Sequence, residues 1–185
     1  VIPIPDELKR PNFSWNADAF NIADSINKGC FYVMYRGHGD TTQWWRPKFD
    51  VVDLPLLKNN PTVFINSTCL TGKYSMPNND CFAEGLLKHK NGGAIAVLAA
   101  GVPTDRAFNE MFVKDILNTT LKRSLNPTDY PEETFDSTLG KMLMNGFTSA
   151  KSKGDFSTLF HQEAYQIFGD PSMMMWTKQP EEYSA

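Results

Sequence analysis

Two residues in this 185-residue chain have the types and surroundings for nucleophilic chemistry: His38 in "YRGHGDTT" and Cys69 in "FINSTCLTG". A thiolate is a strong nucleophile, and a nearby imidazole promotes its ionisation and later protonates a leaving amine. Gly37 and Gly39 flank the histidine and let a substrate carbonyl approach the chain closely. The backbone N–H groups of Gly39 and Cys69 are therefore candidates for an oxyanion hole, where one donor contributes roughly 3 kcal/mol. Asp40 and Glu84 both qualify to orient the imidazole, and the sequence does not choose between them. Taken singly, a cysteine at a strand end is more often a small buried hydrophobe, and a lone loop histidine is more often structural. The pairing carries the weight. A metal-dependent hydrolase built on His38, Asp40 and Cys69 is a distant alternative, because their spacing matches no standard ligand set.

Three short apolar segments must position these groups: Cys30 to Tyr35, Thr62 to Asn66 and Ala94 to Leu98, each ending in a loop of small or polar residues. Runs this apolar and this short read as buried strands of a parallel sheet. His38 then follows one strand and Cys69 the next, at the carboxyl ends where open parallel sheets gather their ligands. A helix over Trp15 to Lys28 is expected first, with Ser14 as cap and Gly29 as stop. Another lies in "NDCFAEGLLKHKNGG", with Asp80 as cap. Strand, helix, strand order with crossovers of this length implies parallel pairing and right-handed connections. Further helices are expected in "DRAFNEMFVKDILN" and "ETFDSTLGKMLMNGFTSAKSK". The segment "FHQEAYQIFGDPSMMMWT" reads as a helix ending at Gly169, a turn at Asp170-Pro171 and a strand near Met173 to Trp176. Four or more strands with helices on both faces result.

Composition bounds the remaining possibilities. The net charge of −3 and the pI near 5.6 give no basic block for general nucleic-acid binding. No apolar run approaches the roughly 18 residues of a membrane span. Three cysteines without CxxC spacing favour neither a disulfide framework nor a zinc site. Cys81 and Cys30 read as packing residues, His89 as a last-turn residue, and Met173 to Met175 as strand core. His161 is more readily structural than a second imidazole of the site.

The motifs "YRGHGDTTQWW", "FINSTCLTGKYSMPNNDCFAEGLL", "GGAIAVLAA" and "EAYQIFGDPSMMMW", in this order, resemble the gingipain-type cysteine peptidases of the caspase-like group. The resemblance runs from Cys30 to Trp176. It implies a caspase-like α/β fold, a mostly parallel sheet flanked by helices on both faces. It also implies hydrolysis of peptide bonds through a thioester, with Cys69 as nucleophile, His38 as general acid/base, the Gly39 and Cys69 N–H groups as oxyanion hole, and Cys81 noncatalytic. A protein or peptide substrate, no cofactor for catalysis, structural calcium, and a secreted or cell-surface location in a Gram-negative bacterium follow from the same resemblance. The family's catalytic domain carries a substantial α/β portion ahead of the Gly-His-Gly loop, whereas 37 residues precede His38 here. Residues 1–185 are accordingly expected to be the C-terminal part of such a domain, with 1–14 as an extended arm: either a piece of the domain, or one of two processed chains with the N-terminal half as a separate partner. For specificity, "GVPTDRAFNE" offers Asp105 and Glu110 to a basic side chain, while Arg36 would favour an acidic or small one. A peptidase-like module that binds protein segments without cleaving them is the alternative reading.

Overall fold

The computed structural model describes residues 3, 5–11, 16–58, 61–120, 138–151 and 157–175. Its centre is a four-stranded sheet in the order β1-β4-β5-β6, formed by Tyr32–Arg36 (β1), Thr62–Ser67 (β4), Ala94–Ala100 (β5) and Tyr165–Phe168 (β6). The first three are parallel and β6 is antiparallel to β5. All six residues of β4 are buried, as befits a strand covered on both faces.

Alternation along the strands feeds two cores. Phe64, Val97 and Ala99 face α1 (Ala19–Asn27), α2 (Phe82–Lys88) and a hairpin of β2 (Gln43–Trp45) and β3 (Lys48–Asp50). Val63, Ile65, Ala96, Leu98 and Ala100 face the other way, toward α3 (Arg106–Thr120), α4 (Leu139–Lys151) and α5 (Ser157–Ala164). In α3 the buried Phe108, Phe112 and Ile116 recur every fourth residue and form the inward stripe. Gly146 of α4 lies so close to the Phe112 ring that a Cβ there would stand 2.8 Å from it, so α3 and α4 pack at nearly backbone distance.

Several sequence expectations shift. The first helix starts at Ala19 rather than Trp15, because Asp18 and Asn21 cap each other's backbone N–H groups reciprocally. The expected cap Ser14 lies outside the described residues. The N-terminal arm is not wholly extended, since Asp6–Leu8 make one tight helical turn. Helix α2 is capped at Cys81, whose N–H donates to Glu84 at 2.9 Å, and the Asp80 carboxylate pairs with Lys88 instead. Cys30 is exposed rather than packed. At the C-terminal end the helix stops at Ala164 and the chain turns into β6, so the fourth strand is Tyr165–Phe168; Met173 to Met175 form no strand of the sheet, and Trp176 lies outside the described residues. Here the β5 edge overrides local preference: Tyr165, Gln166, Ile167 and Phe168 pair with Ala100 through Val97. Met174 makes only a single bridge, to Thr138.

Candidate active site

Strand register places the site. Parallel pairing sets Tyr35 opposite Asn66 and Arg36 opposite Ser67, so the loops leaving β1 and β4 start side by side. His38 and Cys69 line one cavity of about 270 Å³, together with Arg36, Ser67, Thr104 and Asn109 among others.

Each loop is held from behind. The Tyr35 hydroxyl donates to the His38 carbonyl at 2.8 Å, and its ring stacks on buried Trp44 at 4.5 Å. The His38 carbonyl also accepts the Trp45 N–H, and the Asp40 N–H donates to Gln43, so Gly39 sits opposite Trp44 in a pair that exchanges no hydrogen bond of its own. The Gly39 N–H is thereby left unused by the hairpin. On the other loop Leu70 takes φ +62°, a strained conformation for a residue with a branched side chain. Two cross-links hold it there: Thr71 N–H to the Cys69 carbonyl at 2.8 Å and Gly72 N–H to Ala100 at 2.9 Å. Among the described residues neither Gly39 N–H nor Cys69 N–H has a backbone partner.

The two loops touch at Gly39. A Cβ built there would stand 2.7 Å from Thr68 Oγ1 and 3.2 Å from the Cys69 carbonyl oxygen. Only glycine permits this approach, which brings the histidine loop onto the backbone of the cysteine loop.

Behind Cys69 runs a polar relay that sequence reasoning missed. Thr104 N–H donates to Cys69 Sγ at 3.3 Å, and Thr104 Oγ1 lies 3.8 Å from the same sulfur. Asn109 Nδ2 donates to Thr104 Oγ1 at 2.9 Å, while Tyr165 donates its hydroxyl to Asn109 Oδ1 at 2.7 Å. Burial pushes the Tyr165 phenol upward, so it stays protonated and remains a donor. Tyr165→Phe should leave buried Asn109 Oδ1 without its donor and cost about 1–3 kcal/mol, read as a lowered midpoint of urea unfolding. An unchanged midpoint would remove the relay from the account of stability. Thr104 and Asn109 stand 35 and 40 positions after Cys69, in the loop after β5 and in α3. No local spacing could have revealed them.

Other candidates have structural work. Asp40 accepts the Thr41 N–H and Glu84 the Cys81 N–H, and among the described residues neither carboxylate is hydrogen-bonded to the His38 ring. The nearest aromatic neighbour of the His38 ring is Trp45, at 5.7 Å. Asp105 caps α3, its Oδ1 accepting from the Ala107 and Phe108 N–H groups. Glu110 pairs with Arg36 at 2.9 Å. Neither Asp105 nor Glu110 is part of the cavity wall, whereas Arg36 is, and Arg106, which the sequence reading did not single out, joins it. His161 is buried, stacks on Phe108 at 3.9 Å and accepts the Asp105 N–H, which fixes the loop beside Cys69. Cys81 is fully buried, and burial pushes its thiol up to about 11. Among the described residues no three His, Cys, Asp or Glu side chains converge to hold a metal ion.

A mostly parallel sheet covered on both faces, with the His38 and Cys69 loops meeting at adjacent strand ends, is a caspase-like α/β fold. The family model described as Peptidase family C25 matches residues 7–176, and the chain belongs to that family. Gingipain R2 of Porphyromonas gingivalis is 31% identical over 173 residues, covering 88% of this chain and 22% of that protein. The crystal structure of the Arg specific cysteine proteinase gingipain R (RgpB) matches with a TM-score of 0.79 at 24% identity, over 91% of this chain and 39% of that one. The complex of Porphyromonas gingivalis RgpB pro- and mature domains matches with a TM-score of 0.78, over 91% and 40%. The chain therefore spans well under half the length of these relatives.

Proposed function

We propose that the protein is a cysteine endopeptidase in which Cys69 attacks the scissile carbonyl and His38 manages the protons. The observation that carries this reading is the contact at Gly39, which sets the imidazole loop against the Cys69 backbone with two N–H groups left over. The steps follow from that arrangement. The Cys69 proton passes to His38, and the sulfur bonds to the carbonyl carbon. Negative charge collects on the carbonyl oxygen and is met by the Gly39 and Cys69 N–H groups. The C–N bond then breaks as His38 gives its proton to the leaving amine, leaving a thioester on Cys69. Water enters, loses a proton to His38 and adds to the thioester. The C–S bond breaks, releasing the carboxylic acid product and restoring the thiolate–imidazolium pair.

The same reading includes a polypeptide partner on the open edge of the sheet. Among the described residues β1 pairs only with β4, and between β1 and α1 lies an apolar groove lined by Ile22, Ile26, Val33 and Trp44. Unpaired edges invite another strand, and the N-terminal half of a gingipain-like catalytic domain fits that need. Export from a Gram-negative cell belongs to this reading as well. Among the described residues no helix is long and apolar enough to cross a membrane.

Site-mapped alkylation by iodoacetamide tests the pair. Cys69 should label at least about tenfold faster than in His38→Ala, because the imidazole takes the thiol proton. Cys81, buried and protonated at neutral pH, should not label in the folded protein. A Cys69 rate indifferent to His38 would sink the pair, and peptide binding without turnover would make the protein a binding module. Cys30 borders the β1 groove, so its labelling should slow when the partner is present. An unchanged rate would leave the edge uncovered.

A further inference from the structure

The cavity beside Cys69 is cationic. Arg36 enters it from the end of β1 and Arg106 from the first residue of α3, and no carboxylate belongs to its wall among the described residues. The neutral groups there are largely engaged with one another: Ser67 Oγ donates to the Asn109 carbonyl, and the Asn109 side chain is shared between Thr104 and Tyr165. The guanidinium groups are what remains to meet a charged ligand.

Arg106 occupies an electrostatically poor position for a cation. It opens a 15-residue helix, at the end where the macrodipole is positive, and the first turn of α3 contains no acidic residue. Its neighbour Asp105 has an oxygen committed to two backbone N–H groups. No carboxylate pairs with Arg106 among the described residues. Arg36 does have a partner, Glu110, but the Glu110 side chain is 67% exposed and the pair lies on the rim. An exposed pair of this kind is weak, and an incoming carboxylate can displace Glu110 back into water.

Resting on the peptidase reading, we propose that this cavity is the primary specificity pocket and that it takes an acidic side chain. An Asp or Glu just before the scissile bond would place its carboxylate between Arg106 and Arg36. Guanidinium forks match a carboxylate's two oxygens in a way that a lysine ammonium does not. A volume of about 270 Å³ suits one side chain rather than a longer segment. A basic residue would meet two like charges in a confined site, which selects against it.

The test uses the complete protein with fluorogenic peptides that differ only in the residue before the cleaved bond: Glu, Gln, Asp, Asn, Lys or Arg. The expected kcat/KM for Glu or Asp exceeds that of the matching amide by at least about tenfold. In Arg106→Gln the Glu:Gln ratio should collapse toward one. Because that ratio is taken within a single preparation, loss of folded enzyme does not move it. Glu110→Gln, which releases Arg36, should raise the ratio. Cleavage that depends on Cys69 but prefers a basic or neutral residue, or a Glu:Gln ratio unmoved by Arg106→Gln, overturns the acidic pocket and leaves the peptidase reading standing. No Cys69-dependent cleavage of any of the six peptides overturns both.

Discussion

Cys69→Ala should lower kcat/KM for peptide hydrolysis by about 10⁴-fold or more, and His38→Ala by a comparable factor. Residues that act as one nucleophilic unit lose nearly everything when either is removed, and what persists comes from binding and the oxyanion donors. The two changes should therefore be far from additive, the double variant being scarcely worse than either alone. Neither side chain is important to the core: His38 is exposed and Cys69 half-buried, so unfolding midpoints should move little. Stopped assays with a substrate that the wild type cleaves decide the matter. Activity in Cys69→Ala within tenfold of the wild type would rule out the thioester route.

Gly39→Ala carries the second large effect, and it acts through geometry alone. The added Cβ would stand 2.7 Å from Thr68 Oγ1, 2.9 Å from Thr68 Cγ2 and 3.2 Å from the Cys69 carbonyl oxygen. That carbonyl already accepts the Thr71 N–H at 2.8 Å, in a turn containing the positive-φ residue Leu70, so it cannot yield cheaply. Thr68 is fully buried and equally confined. The histidine loop must then lift off the cysteine loop, carrying one proposed oxyanion donor with it. A displacement of roughly 1 Å at a reacting centre costs about 10²-fold, and loss of one such donor costs about 10²–10³-fold. kcat should bear most of this loss, since the donor matters chiefly when charge develops on the oxygen. Overpacking also destabilises by about 1–3 kcal/mol, so circular dichroism at the assay temperature separates misfolding from misplacement. A folded variant within threefold of the wild type would remove Gly39 from the oxyanion hole.

Much of this was legible in the chain. The buried strands ending before His38 and Cys69 stand out because continuous apolar runs of β-branched and aromatic residues fit a sheet covered on both faces. Parallel order then places both loops at one end without any further information. The Gly-His-Gly and Ser-Thr-Cys loops, with the downstream motifs, sufficed for the family. The "QWWRPKFD" hairpin was missed, although Trp44 and Phe49, cross-strand partners five positions apart, carry its signal as buried aromatics either side of a proline.

What only the tertiary structure decided concerns groups far apart in sequence that share no local pattern. β6 took its form because the open edge of β5 satisfies its backbone, whereas the same residues read locally continue a helix. Asp105 and Glu110 looked like pocket acids, yet a helix end claimed one and Arg36 the other. The relay from Tyr165 through Asn109 and Thr104 to the Cys69 sulfur spans β6, α3 and a loop. Sequence fixes residue types and short-range periodicity, which are enough for the buried strands and for placing the Cys69 and His38 loops at their ends. Hydrogen bonds between distant segments depend on how the layers stack, and that is set by the packing of the two cores against one sheet.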